Sequence, residues 1–172
     1  MEISKKTSDS RTVMNEMVLP NDTNTLNNLM GGRMLHWMDI VAAIAAQKHS
    51  GKTVVTASVD SVSFGKCIKL GDVVTLQAEI SRAFNSSMEV HISVWAENIP
   101  SGEKFKSNEA YYTFVALDRN GSPVAVPALK PETEEEVKRF DGALRRRQLR
   151  LILAGKMKPD EATELKALFT RD

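Results

Sequence analysis

The sequence predicts an α+β fold in which an antiparallel sheet is wrapped round a long central helix and followed by a C-terminal helical extension. Three observations predict it. An apolar run near the start has the length and pattern of a buried helix. Four later segments show strand-type alternation and are joined by short turns. After Pro127 the composition changes to a charged, helix-type sequence.

A short strand and a polar loop come before the helix. Val13 to Leu19 alternates enough to form a strand, and Pro20 ends it. Residues 21–28 are mostly Asn, Asp and Thr, which favour turns. Residues 1–12 are polar and charged, and we expect them to form a flexible N-terminus.

The central helix is predicted to begin at Gly31-Gly32 and to run to about His49. Between positions 34 and 46 only His36 and Asp39 interrupt the apolar residues. A helix that is apolar on every side is normally enclosed by the rest of its domain. Gly51 suits the left-handed position that commonly ends a helix.

Four strands are predicted after the helix. Each alternates apolar with polar side chains, as a strand with one buried face does. Short turns between successive strands make neighbours antiparallel. The predicted strands cover residues 54–64, 73–82, 88–98 and 104–117.

The element order explains how both apolar surfaces are buried. The sheet has one apolar face to cover, and the helix is apolar all round, so a sheet wrapped round the helix satisfies both. This architecture is the hotdog fold, and we assign residues 13–127 to it. One such sheet does not fully enclose its helix, so we expect two chains to associate side by side.

Residues 128–172 are predicted to form the C-terminal helical extension. Acidic residues follow Pro131 in the first turn of a helix, where they interact favourably with the helix dipole. The basic run Arg145-Arg146-Arg147 is balanced by Glu134 to Glu136 and has no interleaved aromatic residues, so we interpret it as a solvated helix face with ion pairs between subunits. A short last helix is predicted from Asp160 to Thr170.

Composition excludes several kinds of partner. The 172 residues carry a formal net charge of +1, which predicts no nucleic-acid partner. Cys67 is the single cysteine, which suits a reducing compartment, and no spacing of Cys and His predicts a metal site. The N-terminus lacks the apolar core of a signal peptide, and the longest apolar run is shorter than the about 20 residues needed to span a bilayer. We therefore expect a cytoplasmic protein without a membrane partner.

Two features of the helix are candidates for chemistry. A carboxylate within an apolar helix is costly unless it is paired, hydrogen-bonded or used, which singles out Asp39. His36 lies three residues earlier and is within reach of it, although neighbouring donors alone could also satisfy Asp39. The N–H groups at Gly31-Gly32 could bind a developing oxyanion, because a helix N-terminus attracts anions and glycine admits a close ligand. The alternative is a tight junction that merely needs glycine.

Four separated blocks resemble the hotdog acyl-CoA thioesterases of the brain-type and bacterial cytosolic group. They occur in the family's order and spacing between about Met14 and Pro127. The blocks are Asn28-Leu-Met-Gly-Gly-Arg-Met-Leu-His-Trp-Met-Asp39, Val54-Val-Thr-Ala-Ser-Val-Asp60, Ser86-Ser-Met-Glu89 and Asn108-Glu-Ala-Tyr-Tyr-Thr-Phe-Val-Ala-Leu-Asp118.

The resemblance implies hydrolysis of fatty acyl-CoA to free fatty acid and CoA, with no cofactor because CoA belongs to substrate and product. It implies that Asn28 and Asp39 form the catalytic pair across two subunits, with Asp39 as general base or nucleophile. Backbone N–H groups of Gly32 and Arg33 would stabilise the oxyanion. The family is built from double hotdogs, often as trimers of dimers, so a chain with one domain is expected to form a homodimer.

The sequence departs from the family where many bacterial members have a Gly-Arg-Thr-Ser block. Here the residues are Phe84-Asn-Ser-Ser87, without the arginine. We therefore consider Arg82 or Lys66 as the source of positive charge for the CoA phosphates. Further candidate contacts for the substrate or CoA are Gly31, Ser86 and Ser87.

Two other functions are compatible with this fold. A hotdog hydratase or dehydratase needs a His and a carboxylate placed at the acyl β-carbon, whereas His36 and Asp39 lie three residues apart on one helix, which is not that pattern. A non-catalytic acyl-CoA-binding regulator is the second alternative.

Overall fold

The structure is a computed structural model that describes residues 4–169. It has two compact units, of which the first ends at Lys130 and the second begins at Pro131. The first unit contains, in chain order, β1 (Ser4–Lys6), α1 (Thr7–Ser10), β2 (Thr12–Met17), α2 (Gly31–Ser50), β3 (Thr53–Asp60), β4 (Val73–Ala83), β5 (Ser87–Asn98), β6 (Glu103–Leu117) and β7 (Ala128–Lys130). The second contains α3 (Glu134–Leu153) and α4 (Thr163–Lys166).

The strands β2 to β6 form one antiparallel sheet in the order β2-β4-β5-β6-β3. The strand positions confirm the sequence prediction closely, with one exception. The strand after the helix ends at Asp60 rather than at residue 64, because Ser61 has a positive φ of 57° that an extended strand does not permit. β3 lies at one edge of the sheet, so its outer backbone groups face away from the other strands.

The central helix confirms the predicted hotdog arrangement. α2 runs from Gly31 to Ser50, and Gly51 ends it with φ 64° and an N–H that donates to Gln47 O at 2.7 Å. The helix packs on the inner face of the sheet, and the side chains at this contact are fully buried. They include Met38, Val41, Ala42 and Ala45 of the helix and Leu76, Ala78, Val90, Ile92 and Val94 of the sheet.

One face of α2 is left open. Gly32, His36, Ile40 and Ile44 are exposed and recur every four residues, so they form one line along the helix. Ile40 and Ile44 are 37% and 39% exposed, which is high for isoleucine in a helix that is otherwise buried. As expected, the sheet of one chain does not enclose the whole helix.

The N-terminus differs from the expected flexible segment, of which residues 1–3 lie outside the described residues. β1 pairs in parallel with β7, with Ser4 opposite Ala128. Lys5 Nζ donates to Lys48 O at 2.8 Å. The pairing of β1 with β7 uses backbone groups, so the polar side chains gave no sign of it. The same pairing places Ala128–Lys130 in the first unit, not in the predicted extension that starts at residue 128.

The second unit has a well-capped long helix. Thr133 Oγ1 accepts the N–H of Glu136 at 3.2 Å, and Glu136 Oε2 accepts the N–H of Thr133 at 3.2 Å, which is a reciprocal capping box. The last helix, α4, is shorter than predicted because a 3₁₀ turn occupies Pro159–Glu161. The predicted end at Thr170 lies outside the described residues.

Across residues 4–169, no helix combines the length and the apolar character needed to cross a membrane.

His49 is a fully buried histidine in the last turn of α2. Its Nε2 lies 2.8 Å from Pro127 O, so a neutral ring can donate a hydrogen bond from Nε2. Among the described residues, Nδ1 is buried without a hydrogen-bond partner. Burial lowers the pKa of His49 below its usual 6.5, since the charged ring would lose its hydration.

We expect the free energy of unfolding to fall as the pH is lowered through about 6.5. Below that pH, His49 binds a proton in the unfolded chain but not in the folded one. The free energy of unfolding then falls by at most about 1.4 kcal/mol per pH unit. Urea unfolding between about pH 8 and about pH 5 should show a smaller slope against pH for His49→Gln than for wild type. His36→Gln, at an exposed position, is the control. Equal slopes for wild type and His49→Gln would contradict the expectation.

Candidate active site

An ion pair fixes the loop that leads into α2. Arg33 Nε lies 2.9 Å from Asp22 Oδ1, and the Asp22 side chain is almost fully buried. Asp22 Oδ2 accepts the N–H of Leu19 at 2.9 Å, and Asp22 O accepts the N–H of Met30 at 2.9 Å. One buried carboxylate therefore holds both the loop and the first turn of the helix.

The start of α2 presents two N–H groups, from Gly31 and Gly32. Within residues 4–169 neither has a backbone acceptor, as expected for the first turn of a helix. The N–H of Arg33 differs from the prediction, because it donates to Met30 O at 3.0 Å and is not free for an oxyanion. A Cβ on Gly31 would lie 3.1 Å from Phe64 Cζ, whereas a Cβ on Gly32 would meet nothing within 4 Å. Gly31 admits the Phe64 ring, and Gly32 faces open space.

Two asparagines shape the loop before the helix. Asn24 Oδ1 accepts the N–H of Leu26 at 2.9 Å and that of Asn28 at 3.2 Å, and the N–H of Asn24 donates to Asn28 O at 2.9 Å. The Asn28 side chain is half-buried and makes no hydrogen bond to another described residue. Asn24 therefore organises the loop, while the amide of Asn28 is left to bind a ligand.

Asp39 is half-buried on α2 and is held by the edge strand β3. Thr56 Oγ1 donates to Asp39 Oδ1 at 2.7 Å. Oδ2 has no hydrogen-bond partner among the described residues, and His36 makes no hydrogen bond to Asp39 there. Tyr112 is also close, since its pKa is raised to about 12 by burial and then by the negative charge of Asp39. The carboxylate thus has one fixed oxygen and one that can take a proton or attack a carbon.

A cavity of about 300 Å³ lies beside the helix start. Asn24, Asn28, Gly31 and Lys66 line it, and Lys66 Nζ also pairs with the Glu103 carboxylate. The hydrogen bond from Lys66 lowers the pKa of Glu103 below its usual value. Apolar side chains form much of the wall: Leu26, Leu29, Met34, Phe64 and Ile68.

The cavity brings together only part of the predicted site. Asn28, Gly31 and Lys66 line it, but Asp39 does not. Gly32 and Asp39 are seven residues apart on α2, which is about 10 Å along the helix axis. Hydrogen bonds reach about 3 Å each, so this separation does not favour one carbonyl group contacting both in the same chain.

The other predicted CoA contacts lie at the opposite end of the sheet. Arg82, Ser86 and Ser87 surround the β4–β5 turn. Lys66 lies near the other end of β5. Its backbone O accepts a hydrogen bond from Ser107. The neighbouring Lys106 pairs with Trp95 on β5. Trp95 is eight residues along β5 from Ser87, or roughly 25 Å. One chain therefore does not bring Lys66 and Arg82 to the same phosphate group.

Sequence reasoning missed three residues of this region: Thr56, Tyr112 and Asn24. Thr56 and Tyr112 are spaced as ordinary strand residues, and only the register between sheet and helix brings them to Asp39. Asn24 lies in a loop that the sequence shows only as polar. In such loops an Asn side chain commonly hydrogen-bonds the backbone two residues further along the chain. That signal could have identified it.

Comparisons with known proteins agree with the observed fold. The thioesterase superfamily profile matches residues 26–103. "Uncharacterized acyl-CoA thioester hydrolase YkhA" of Bacillus subtilis is 42% identical over 138 residues, which cover 80% of each chain. The acyl-CoA hydrolase of Staphylococcus aureus, solved with butyryl coenzyme A, coenzyme A and coenzyme A disulfide, has a TM-score of 0.82 at 39% identity and covers 89% of this chain and 95% of its own. An apo-hexameric acyl-CoA thioesterase has a TM-score of 0.86 at 38% identity and covers 88% and 97%.

These matches show that the fold is that of the thioesterase superfamily. Variants of the S. aureus enzyme with alanine in place of an aspartate, a threonine and an asparagine have also been solved and are equally similar in structure. Because the identity to YkhA extends over most of both chains, this chain belongs to the acyl-CoA thioester hydrolase family.

The contrast between the two glycines gives a stability prediction. We expect Gly31→Ala to be less stable than Gly32→Ala, because the new Cβ would lie 3.1 Å from Phe64 Cζ and the ring would have to shift. Gly32→Ala should be neutral or stabilising by up to about 1 kcal/mol, since alanine has the higher helix propensity. Adding Phe64→Ala should remove the penalty at position 31. Urea unfolding measures all three, and equal stability of the two single variants would contradict the assignment.

Proposed function

We propose that the protein hydrolyses fatty acyl-CoA thioesters to a free fatty acid and CoA. The observation that carries the proposal is the hydrogen bond from Thr56 of β3 to Asp39 of α2, the helix whose N-terminus presents the Gly31 and Gly32 N–H groups. Membership of the acyl-CoA thioester hydrolase family supports the same substrate class. A panel of acyl-CoA chain lengths, followed by release of free thiol, tests it.

In the proposed reaction Asp39 acts through its free oxygen Oδ2. It either deprotonates a water that attacks the thioester carbonyl or attacks that carbon itself to give a mixed anhydride, which water then cleaves. Thr56 keeps Oδ1 occupied and so fixes the direction of Oδ2. The Gly31 and Gly32 N–H groups stabilise the oxyanion, and CoA leaves as the thiolate. This chemistry requires no cofactor.

We propose that each site is built from two chains. The separation of Gly32 from Asp39 along one helix supports this, because a second copy could supply the missing carboxylate. The open face of α2 and the edge strand β3 offer a self-complementary surface, with Val55 and Val59 each 45% exposed. Pairing two β3 edges would extend the sheet and cover both helix faces. The result is a double-hotdog homodimer, and the hexameric relative supports a trimer of such dimers.

The S. aureus variants bear on which residues act. The asparagine and aspartate substituted there are 15 positions apart, and the aspartate and threonine are 17 apart. Asn24, Asp39 and Thr56 have the same spacings. The spacing points to Asn24, and we propose that Asn24 acts in the site by holding the loop through its backbone contacts. Asn28 lines the cavity from the same loop, and we propose that it orients the water or the thioester.

We propose a limited role for the basic residues. Lys66 lies on the cavity rim and is placed to meet a CoA phosphate if that group displaces Glu103. Arg82, Ser86 and Ser87 would contact a different part of CoA, since they lie far from Lys66 in one chain. The exposed thiol of Cys67 suits the cytoplasm, where we propose that the enzyme works.

Replacement of the carboxylate should stop turnover. We expect Asp39→Asn to lower kcat by about 10²–10⁴-fold, because general-base assistance is worth that much. The fold should persist, since Thr56 can still hydrogen-bond the amide oxygen. Steady-state hydrolysis is measured together with circular dichroism. Lys52→Gln, an exposed change at the other end of α2, is the control, and wild-type turnover by Asp39→Asn would refute the assignment.

A mixing experiment tests the two-chain site. Asn28→Ala and Asp39→Asn, each nearly inactive alone, should regain up to about a quarter of wild-type activity after unfolding and refolding together, because a two-fold mixed dimer has one intact site. Asn24→Ala mixed with Asp39→Asn should recover in the same way if both asparagines act from one loop. No recovery in either mixture would show that Asn28 and Asp39 of the same chain work together.

A further inference from the structure

We propose that Tyr112 is a positioning residue for Asp39. Its hydroxyl holds the turn of α2 that carries the Asp39 carboxylate. The expected effect of Tyr112 on catalysis rests on the proposed function, in which Asp39 is the catalytic carboxylate. No part of it requires Tyr112 to touch the substrate.

The contact that carries the proposal is a hydrogen bond between the sheet and the helix backbone. Tyr112 Oη donates to Leu35 O at 3.2 Å, and Tyr112 is 1% exposed. In an α-helix the carbonyl of residue 35 also accepts the N–H of residue 39. Leu35 O is therefore shared between the Tyr112 hydroxyl and the backbone of Asp39.

The register of the sheet explains why Tyr112 reaches this position. Tyr112 and Phe114 are two residues apart on β6, so both face α2. Thr56 pairs with Phe114 across the strands and faces the same side. The sheet therefore directs two hydroxyl groups at one turn of the helix: Thr56 holds the Asp39 side chain, and Tyr112 holds the backbone beneath it.

The electrostatics keep Tyr112 in the role of a donor. Burial and the nearby Asp39 charge raise its pKa to about 12, so the hydroxyl keeps its proton over the range in which enzymes normally work. A tyrosine that stays protonated can hold Leu35 O without adding a second negative charge beside Asp39. The hydroxyl therefore remains a hydrogen-bond donor to Leu35 O during the reaction.

The test removes the hydroxyl alone. We expect Tyr112→Phe to lower kcat by about 10-fold, because a displaced catalytic group loses rate without losing binding. KM should stay within about twofold of wild type. The matched control is Tyr111→Phe, which removes the same atom from the preceding residue. Tyr111 lies on the opposite face of the sheet, where its ring packs against His91 with the ring centroids 5.1 Å apart. A kcat for Tyr112→Phe within about twofold of wild type would overturn the proposal.

A double-variant cycle separates positioning from general stability. In an Asp39→Asn background, adding Tyr112→Phe should lower the residual rate by less than about twofold, since no carboxylate remains to be positioned. A purely structural role would lower the rate equally in both backgrounds, and that result would overturn the proposal.

A measurement without substrate distinguishes this inference from the proposed function. Amide hydrogen exchange in the helix around positions 35–39 should speed up in Tyr112→Phe and stay unchanged in Tyr111→Phe, because only the first loses the bond to Leu35 O. Unchanged exchange in Tyr112→Phe would overturn the inference even if the enzyme is active. If the wild type hydrolyses no acyl-CoA, the proposed function fails, while faster exchange would still support the role of Tyr112 in holding this turn.

Discussion

Burial of α2 against the inner face of the sheet is the interaction on which the rest of the first unit depends. Met38, Val41 and Ala42 are fully buried, and they lie on either side of Asp39 in the sequence. Removal of a valine or methionine side chain from water is worth about 1.5–3 kcal/mol. These contacts fix the rotation of the helix about its own axis, with Asp39 between the buried Met38 and the exposed Ile40.

The fixed rotation puts Asp39 on the boundary between the buried and the open sides of the helix. On the side of the edge strand β3, Thr56 reaches one oxygen of the carboxylate. On the open side, Ile40 and Ile44 are exposed and can accept a second chain. A carboxylate at such a boundary avoids the cost of full burial, because one side is hydrogen-bonded and the other is close to solvent. The same boundary lies about 10 Å along the helix from the Gly31-Gly32 turn, and this separation is the basis of the proposal that a second copy completes the site.

Prediction from sequence succeeded where a pattern is local. The apolar run from Met34 and the alternation in residues 73–117 depend on neighbouring residues, and both gave the observed helix and strands. It failed where contacts depend on register or on the backbone. Thr56 reaches Asp39 through the pairing of β3 with β6, which the sequence does not reveal. The polar residues of β1 predict a flexible segment, whereas β1 pairs with β7 through main-chain groups. Arg33 was chosen for its N–H, which the first turn of the helix instead satisfies internally.

The pairing of β1 with β7 also has a consequence for how the chain reaches this fold. Strand partners that are separated by more than a hundred residues are the costliest contacts to form, because a long loop must close first. On the ribosome, the amino-terminal strand has to wait until residues 128–130 have left the exit tunnel. The central helix and the hairpins, whose partners are closer in sequence, can form before that. The residues of β1 are thus among the last of the unit to be secured, and their pairing with β7 joins the beginning of the unit to its end.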